Sequence, residues 1–309
     1  KDSRAYRLVC SIIDKIKAYD EKSDLARVTG INDGNEETVL DFGLKKGMNK
    51  GFFSNSDVGV GTEDRYSARL MGARFNSEAR VMGFASANNV SDRGFGGRGG
   101  GFGRGNNGLN SSKMLGANFN YEKKDVIKLN GSVRWNHNDG DQLTKNSSEN
   151  FVSTAKSFSN SLSQNYSRSD SWNAQARVEW TPDTMTNIMF RPTFSHSPSD
   201  SRSPSASASF ADDPYLYVTD PLSQEAFDIM DKDSLMVNSR NNTSLSNSSS
   251  NSYGAMFQYN RKLGNKGRNV TVQLNAKYTD SDNKSLTTNN VHLYQITDAL
   301  GNDSTYQTN

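Results

Sequence analysis

The chain has 309 residues, with 36 Lys plus Arg against 34 Asp plus Glu, a hydrophobic third and a mean hydropathy of −0.79. Its 42 Ser and 35 Asn make up about a quarter of it, a composition that argues against a dense core buried on all sides. The net charge of +2 excludes a strong global field for steering nucleic acid or an anionic membrane surface. A single cysteine, Cys10, cannot form an internal disulfide, and three histidines at 137, 196 and 292 supply no zinc-ligand spacing. No run approaches the roughly 18 apolar residues of a membrane helix; the best, residues 8–13, is broken by Cys10 and Ser11. No signal-peptide pattern follows Lys1, so any export signal is expected to have been removed or to lie upstream, and both ends read as cut.

Periodicity carries more information than composition. From residue 115 onward, segments of about ten residues alternate apolar and polar side chains, the two-residue period of a strand with unlike faces. The first is Leu115, Ala117, Phe119 and Tyr121. In the second, Ile127, Leu129, Gly131, Val133 and Trp135 share one face, with Lys128, Asn130, Ser132 and Arg134 on the other. The third runs Trp172, Ala174, Ala176, Val178, Trp180, the fourth Ile188, Phe190, Phe194, and the fifth Tyr253, Ala255, Phe257, Tyr259. A sixth has Val270, Val272, Leu274, Ala276 and Tyr278 against Thr271, Gln273, Asn275 and Lys277.

The connections alternate in length. Tight turns are predicted at residues 122–125, 181–184 and 263–267, while long polar loops are predicted over about 89–112, 137–170 and 197–251. Short turns at one end and long loops at the other are the pattern of an outer-membrane barrel, whose outward face is apolar and whose lumen is polar. Aromatic residues near strand ends, including Trp135, Trp172, Trp180, Tyr121 and Phe194, fit the girdles that such barrels place at the two headgroup levels.

Upstream, Asp14-Lys15-Ile16-Lys17-Ala18-Tyr19-Asp20, Gly30-Ile31-Asn32-Asp33-Gly34, Thr38-Val39-Leu40-Asp41-Phe42 and Asn49-Lys50-Gly51-Phe52-Phe53 resemble the plug-to-barrel junction of TonB-dependent receptor-like outer-membrane proteins. Gly59-Val60-Gly61-Thr62-Glu63-Asp64-Arg65-Tyr66, Asn88-Asn89 and the glycine-rich segment after Arg93 resemble the first barrel strands of that family, and the resemblance covers most of residues 12–280. It implies an all-β fold: residues 1–47 as the C-terminal part of a plug, with residues 39–44 its last short strand, and residues 48–309 as the N-terminal portion of an antiparallel transmembrane β-barrel. The implied strand order starts near Gly51, turns at residues 61–65 and again at Asn76-Ser77-Glu78, and continues through 113–122, 126–136, 171–180, 187–196, 252–261, 269–279 and 285–295. That is about ten strands of a barrel expected to have about 22. The resemblance further implies uptake of a bulky nutrient across the outer membrane of a Gram-negative bacterium. Outer-membrane lipid, the TonB complex reached through a region upstream of Lys1, and a possible surface lipoprotein would be its partners.

Three other sets of residues invite functional readings. The tract at 94–105, with Arg98, Arg104, Phe95 and Phe102 spaced by glycine, matches flexible RNA-binding segments, but inside a strand pattern it reads better as a loop, and no nucleic-acid partner is expected. His137 and His196 are placed where strands meet loops, and no GxSxG elbow accompanies them. The carboxylates Asp212, Asp213, Asp220, Glu225, Asp228, Asp231 and Asp233 lack the DxDxDG loop of a calcium site, and read as an external loop with a short amphipathic piece at residues 226–230. No catalytic, cofactor or metal residue is therefore assigned, and no enzyme activity is expected. The competing readings are a non-transporting barrel with an adhesive surface role and a soluble RNA-binding protein.

Overall fold

A computed structural model describes residues 13–22, 34, 36–44, 50–90, 109–150, 157–264, 268–297 and 303–308. Described residues are mostly antiparallel β-sheet with one α-helix. Strands β1 (Ile13–Lys22) and β2 (Glu36–Leu44) pair with each other in a separate two-stranded sheet. The remaining strands are β3 (Gly51–Val60), β4 (Tyr66–Phe75), β5 (Ala79–Asn88), β6 (Leu109–Lys123), β7 (Ile127–Asn150), β8 (Ser157–Asp183), β9 (Thr186–Phe210), β10 (Met236–Lys262), β11 (Asn269–Thr297) and β12 (Asp303–Thr308). They form a ten-stranded meander in chain order, with β3 and β12 at its two edges, so the sheet is open.

The tight turns are built by short polar side chains. Asn76 Oδ1 accepts from the backbone N–H of Glu78 and Ala79 at 2.9 and 2.6 Å, an Asx turn that closes β4 onto β5. Asp183 does the same between β8 and β9, accepting from Met185 N at 2.7 Å and Thr186 Oγ1 at 3.0 Å. At the opposite end, Glu63 and Asp64 both adopt left-handed backbone, with φ of 57° and 56°. Asn89 holds them there: it accepts from Tyr66 N at 2.7 Å and donates to Asp64 O at 2.8 Å.

Two of the three expected long loops are mostly paired strand. β7 and β8 remain paired from Ile127↔Trp180 to Asn150↔Ser157, straight through the segment expected as a loop over 137–170. β9 and β10 likewise pair as far as Met236↔Phe210, which shrinks the loop expected over 197–251 to residues 211–235. The expected break between strands at 279 and 285 is also absent, because β11 continues to Thr297 and Ser281, Asp282, Asn283 and Lys284 pair with Ser250, Ser249, Ser248 and Asn247. The last strand is instead β12. These extensions lack apolar alternation because both of their faces are polar. Cross-strand hydroxyl pairs link them instead, such as Ser250 with Ser281 at 2.9 Å and Ser252 with Thr279 at 3.2 Å. The 27 residues of β10 span roughly 90 Å at about 3.4 Å per residue.

Between β9 and β10 the chain makes a 3-10 turn, Pro214–Leu216, and helix α1, Gln224–Lys232. The helix begins where Ser223 Oγ accepts from Ala226 N at 3.2 Å, and it carries Glu225 in its first turn and Lys232 in its last. Its Met230 is fully buried with Ala208, Phe210 and Met236, and Phe158, Leu222 and Phe227 pack around them. This small core sits at the far end of the β9–β10 hairpin.

Candidate functional site

Register places side chains of several strands into rows. Trp135 opposes Trp172, which opposes His196, then Asn251, then Asp280. Continuing toward the tight turns on the same face are Val133, Ala174, Phe194, Tyr253 and Tyr278 in one row, and Gly131, Ala176, Pro192, Ala255 and Ala276 in the next but one of the pleat. From Ile127 to Trp135 this face is apolar over nine residues of β7, and the facing stretch from Trp172 to Trp180 matches it on β8. A membrane-crossing strand needs about 9–11 residues.

The two faces differ in exposure at several positions. Leu274 and Leu70, on the apolar face, are 62% and 55% exposed, whereas Glu179, Gln258 and Asn260, on the opposite face, are 3%, 2% and 1% exposed. Two of these buried groups have side-chain partners on the same face: Glu179 accepts from Arg177 Nη2 at 2.9 Å and from Asn187 Nδ2 at 3.0 Å, and Asn260 accepts from Thr271 Oγ1 at 2.9 Å.

At Trp135 the apolar face ends abruptly. The Trp135 and Trp172 rings lie 6.0 Å apart, and Tyr253 contacts Phe194 at 5.3 Å and Tyr278 at 6.4 Å between ring centres. One row beyond, His137 lies stacked on Trp135, with Nδ1 2.9 Å from Asp170 Oδ1 and Nε2 2.8 Å from Asp139 Oδ2. Trp135 Nε1 donates to the same Asp170 oxygen at 3.0 Å, and Arg168 Nε donates to Asp139 at 2.8 Å. Carboxylates on both ring nitrogens favour the doubly protonated imidazolium. The hydrogen bond to Asp170 raises the His137 pKa above its ordinary value, partial burial opposes this, and Asp139 adds to the rise. Burial pushes the Asp139 carboxyl up, but the bonds from Arg168 and His137 outweigh it and hold it below the usual carboxylate range.

Beyond this row the same face forms a mixed trough of about 1180 Å³, where charged side chains such as Asp139, Arg168, Asp200 and Arg202 alternate with Tyr166, Leu245 and Leu286. Below the row lies an apolar groove of about 860 Å³, whose walls include Phe52, Leu70, Val81, Leu115, Trp135 and Trp172.

The residues singled out from the sequence fall in different places. His137 and His196 stand within strands, not at loop ends, and His196 Nδ1 bonds Asn251 Oδ1 at 2.6 Å. The carboxylates of the β9–β10 connection are dispersed into local roles. Asp212 accepts from Tyr217 OH at 3.0 Å, Asp213 caps the 3-10 turn, and Asp220 pairs with Lys145 at 3.3 Å. The Gly/Arg/Phe tract at 94–105 lies outside the described residues. The His137 cluster escaped the sequence reading, because two of its four members lie across a hairpin. Antiparallel alignment of the two apolar stretches, Ile127 with Trp180 and Trp135 with Trp172, carries forward to His137 with Asp170 and was the available signal. No protein-family model matches the chain, and neither does any curated protein.

Proposed function

We propose that the ten-stranded sheet is part of a transmembrane β-barrel in an outer membrane, and that the protein is a TonB-dependent receptor-like importer of a bulky nutrient. The observation that carries this reading is the contrast between the sheet's two faces: an apolar face nine residues long on β7 and β8 with exposed side chains, ended by an aromatic row, against an opposite face on which Glu179, Gln258 and Asn260 are buried. In this reading the apolar face meets lipid and the polar face lines the lumen. The edges of β3 and β12 would be completed by further strands, since unprotected edges invite aggregation. β1 and β2 would belong to the plug, and the tall hairpins would stand outside the cell.

The test is expression of the whole protein in a Gram-negative host, with and without a functional TonB system. Recovery in the detergent-extracted outer-membrane fraction and TonB-dependent uptake or growth on a bulky nutrient are the expected results. Recovery in aqueous buffer without detergent would overturn the barrel reading.

A second reading, a non-transporting surface protein, draws on the height of the β7–β8 and β9–β10 hairpins and on the packed core at the tip of the latter. A rigid, capped wall offers a surface to a partner without a channel. Outer-membrane recovery with no TonB-dependent uptake of any nutrient favours it.

A further inference from the structure

The apolar groove and the mixed trough lie on one face of the sheet and share strands β6, β7 and β8. Trp135 and Trp172 form the rim of the groove, and Asp139 and Arg168, four residues further along the same two strands, line the trough. Four residues correspond to about 13 Å along a strand. Two adjoining cavities divided by an aromatic row, one almost wholly apolar and the other carrying eight charged side chains among apolar ones, match an amphiphile with its chains in the first and its headgroup in the second.

Trough chemistry specifies the headgroup. Three Arg and one Lys face three Asp and one Glu in its lining, so an anionic headgroup gains no net attraction. Guanidinium groups only donate and carboxylates only accept, whereas a hydroxyl does both, so a polyhydroxylated ligand can add to the bonds that Asp139 already makes with His137 and Arg168 and that Asp141 makes with Gln164. Tyr166, 40% exposed, offers a flat apolar surface between Asp141 and Arg202. The trough crosses from β6 to β11, five strand spacings or roughly 24 Å, wide enough for more than one sugar ring.

We infer that this face binds a glycolipid with an uncharged sugar headgroup. The inference rests on the membrane reading proposed above, in which the apolar groove faces lipid. The test reconstitutes the protein in phosphatidylcholine vesicles doped equally with digalactosyl diacylglycerol and phosphatidylglycerol, isolates it by flotation, and counts retained lipids by native mass spectrometry. Galactolipid retained at least five-fold over phosphatidylglycerol is expected. Tyr166→Ala should abolish that preference without changing flotation, and Tyr166→Trp should keep it. Equal retention of the two lipids, preference for phosphatidylglycerol, or an undiminished preference in Tyr166→Ala overturns the inference while leaving the membrane reading intact. Protein that does not float with vesicles overturns the membrane reading and this inference with it.

Discussion

His137 and Asp170 face each other across β7 and β8, with Nδ1 2.9 Å from Oδ1, one row past the point where the exposed apolar face of the sheet ends. An imidazole held between two carboxylates stands where the exposed apolar rows give way to charged ones. The same pair ties the lower and upper parts of the tall hairpin together, because Trp135 donates to the Asp170 oxygen that His137 uses.

This pair makes the hairpin sensitive to pH. The folded state raises the His137 pKa above its ordinary 6.5, so its contribution to stability is fully present below about pH 6.5 and is lost as pH rises through the raised value. Asp139, Asp170 and Arg168 are the charged groups bonded within the cluster, and Asp139 stays ionised throughout this range because its own pKa is lowered. Trp135 fluorescence, followed against pH, should report one transition above pH 6.5 that His137→Gln removes. A His137→Gln variant that keeps the transition would assign it elsewhere.

Side chains on the two faces of β11 should respond in opposite ways to charge. Ala276 lies on the apolar face near the middle of the nine-residue stretch, and Gln273 lies on the other. In a bilayer, Ala276→Arg is expected to cost about 2–4 kcal/mol, as for a lipid-facing charge at the midplane. Gln273→Arg, on the polar face, is expected to stay within about 0.5 kcal/mol. Urea unfolding from vesicles measures both, and equal costs would contradict the assignment of faces.

The tip core should melt by itself. Met230→Ala removes a fully buried side chain that packs with Phe210 and Met236, at a cost of about 2–5 kcal/mol. Hydrogen exchange should speed up in residues 211–235 and stay unchanged in the apolar stretches of β7 and β8. Uniform acceleration across both regions would show that the tip is not an independent unit.

Asn89 is expected to govern the turn between β3 and β4. Asn89→Ala deletes the acceptor for Tyr66 N and the donor to Asp64 O, leaving two left-handed residues without their clamp. The expected cost is about 1–3 kcal/mol, read as faster amide exchange at Tyr66. Asn89→Asp, which keeps the acceptor, should retain part of the protection.

What could be read from sequence followed from how unlike the two faces of a strand are. Residues 127–135, 172–180 and 270–278 announce themselves because one face is apolar and the other polar, and the structure has strands at each. The upper halves of the same strands carry Ser, Asn, Thr and Asp on both faces, so the two-residue period vanishes and loop composition is all that remains. Asp280-Ser281-Asp282-Asn283 has the residues of a turn, yet pairing with residues 248–251 of β10 keeps it extended. Tertiary pairing overrides local preference there. The His137 cluster needed register as well as residue type. Helix α1 was foreshadowed only by the amphipathic spacing of Ala226 and Met230, the two residues it buries.

If the sheet crosses a membrane as proposed, one face of β11 meets hydrocarbon and the other does not. Single nitroxide labels placed in turn from 270 to 279 on β11, in a Cys10→Ser background reconstituted in vesicles, measure that directly through collision with oxygen and with a water-soluble nickel chelate. Oxygen accessibility should peak at positions 272, 274, 276 and 278 and fall at 271, 273, 275 and 277. Beyond Asp280 the chelate should dominate on both faces. A profile with no two-residue alternation, or with the oxygen peaks on Gln273 and Asn275, would contradict the account.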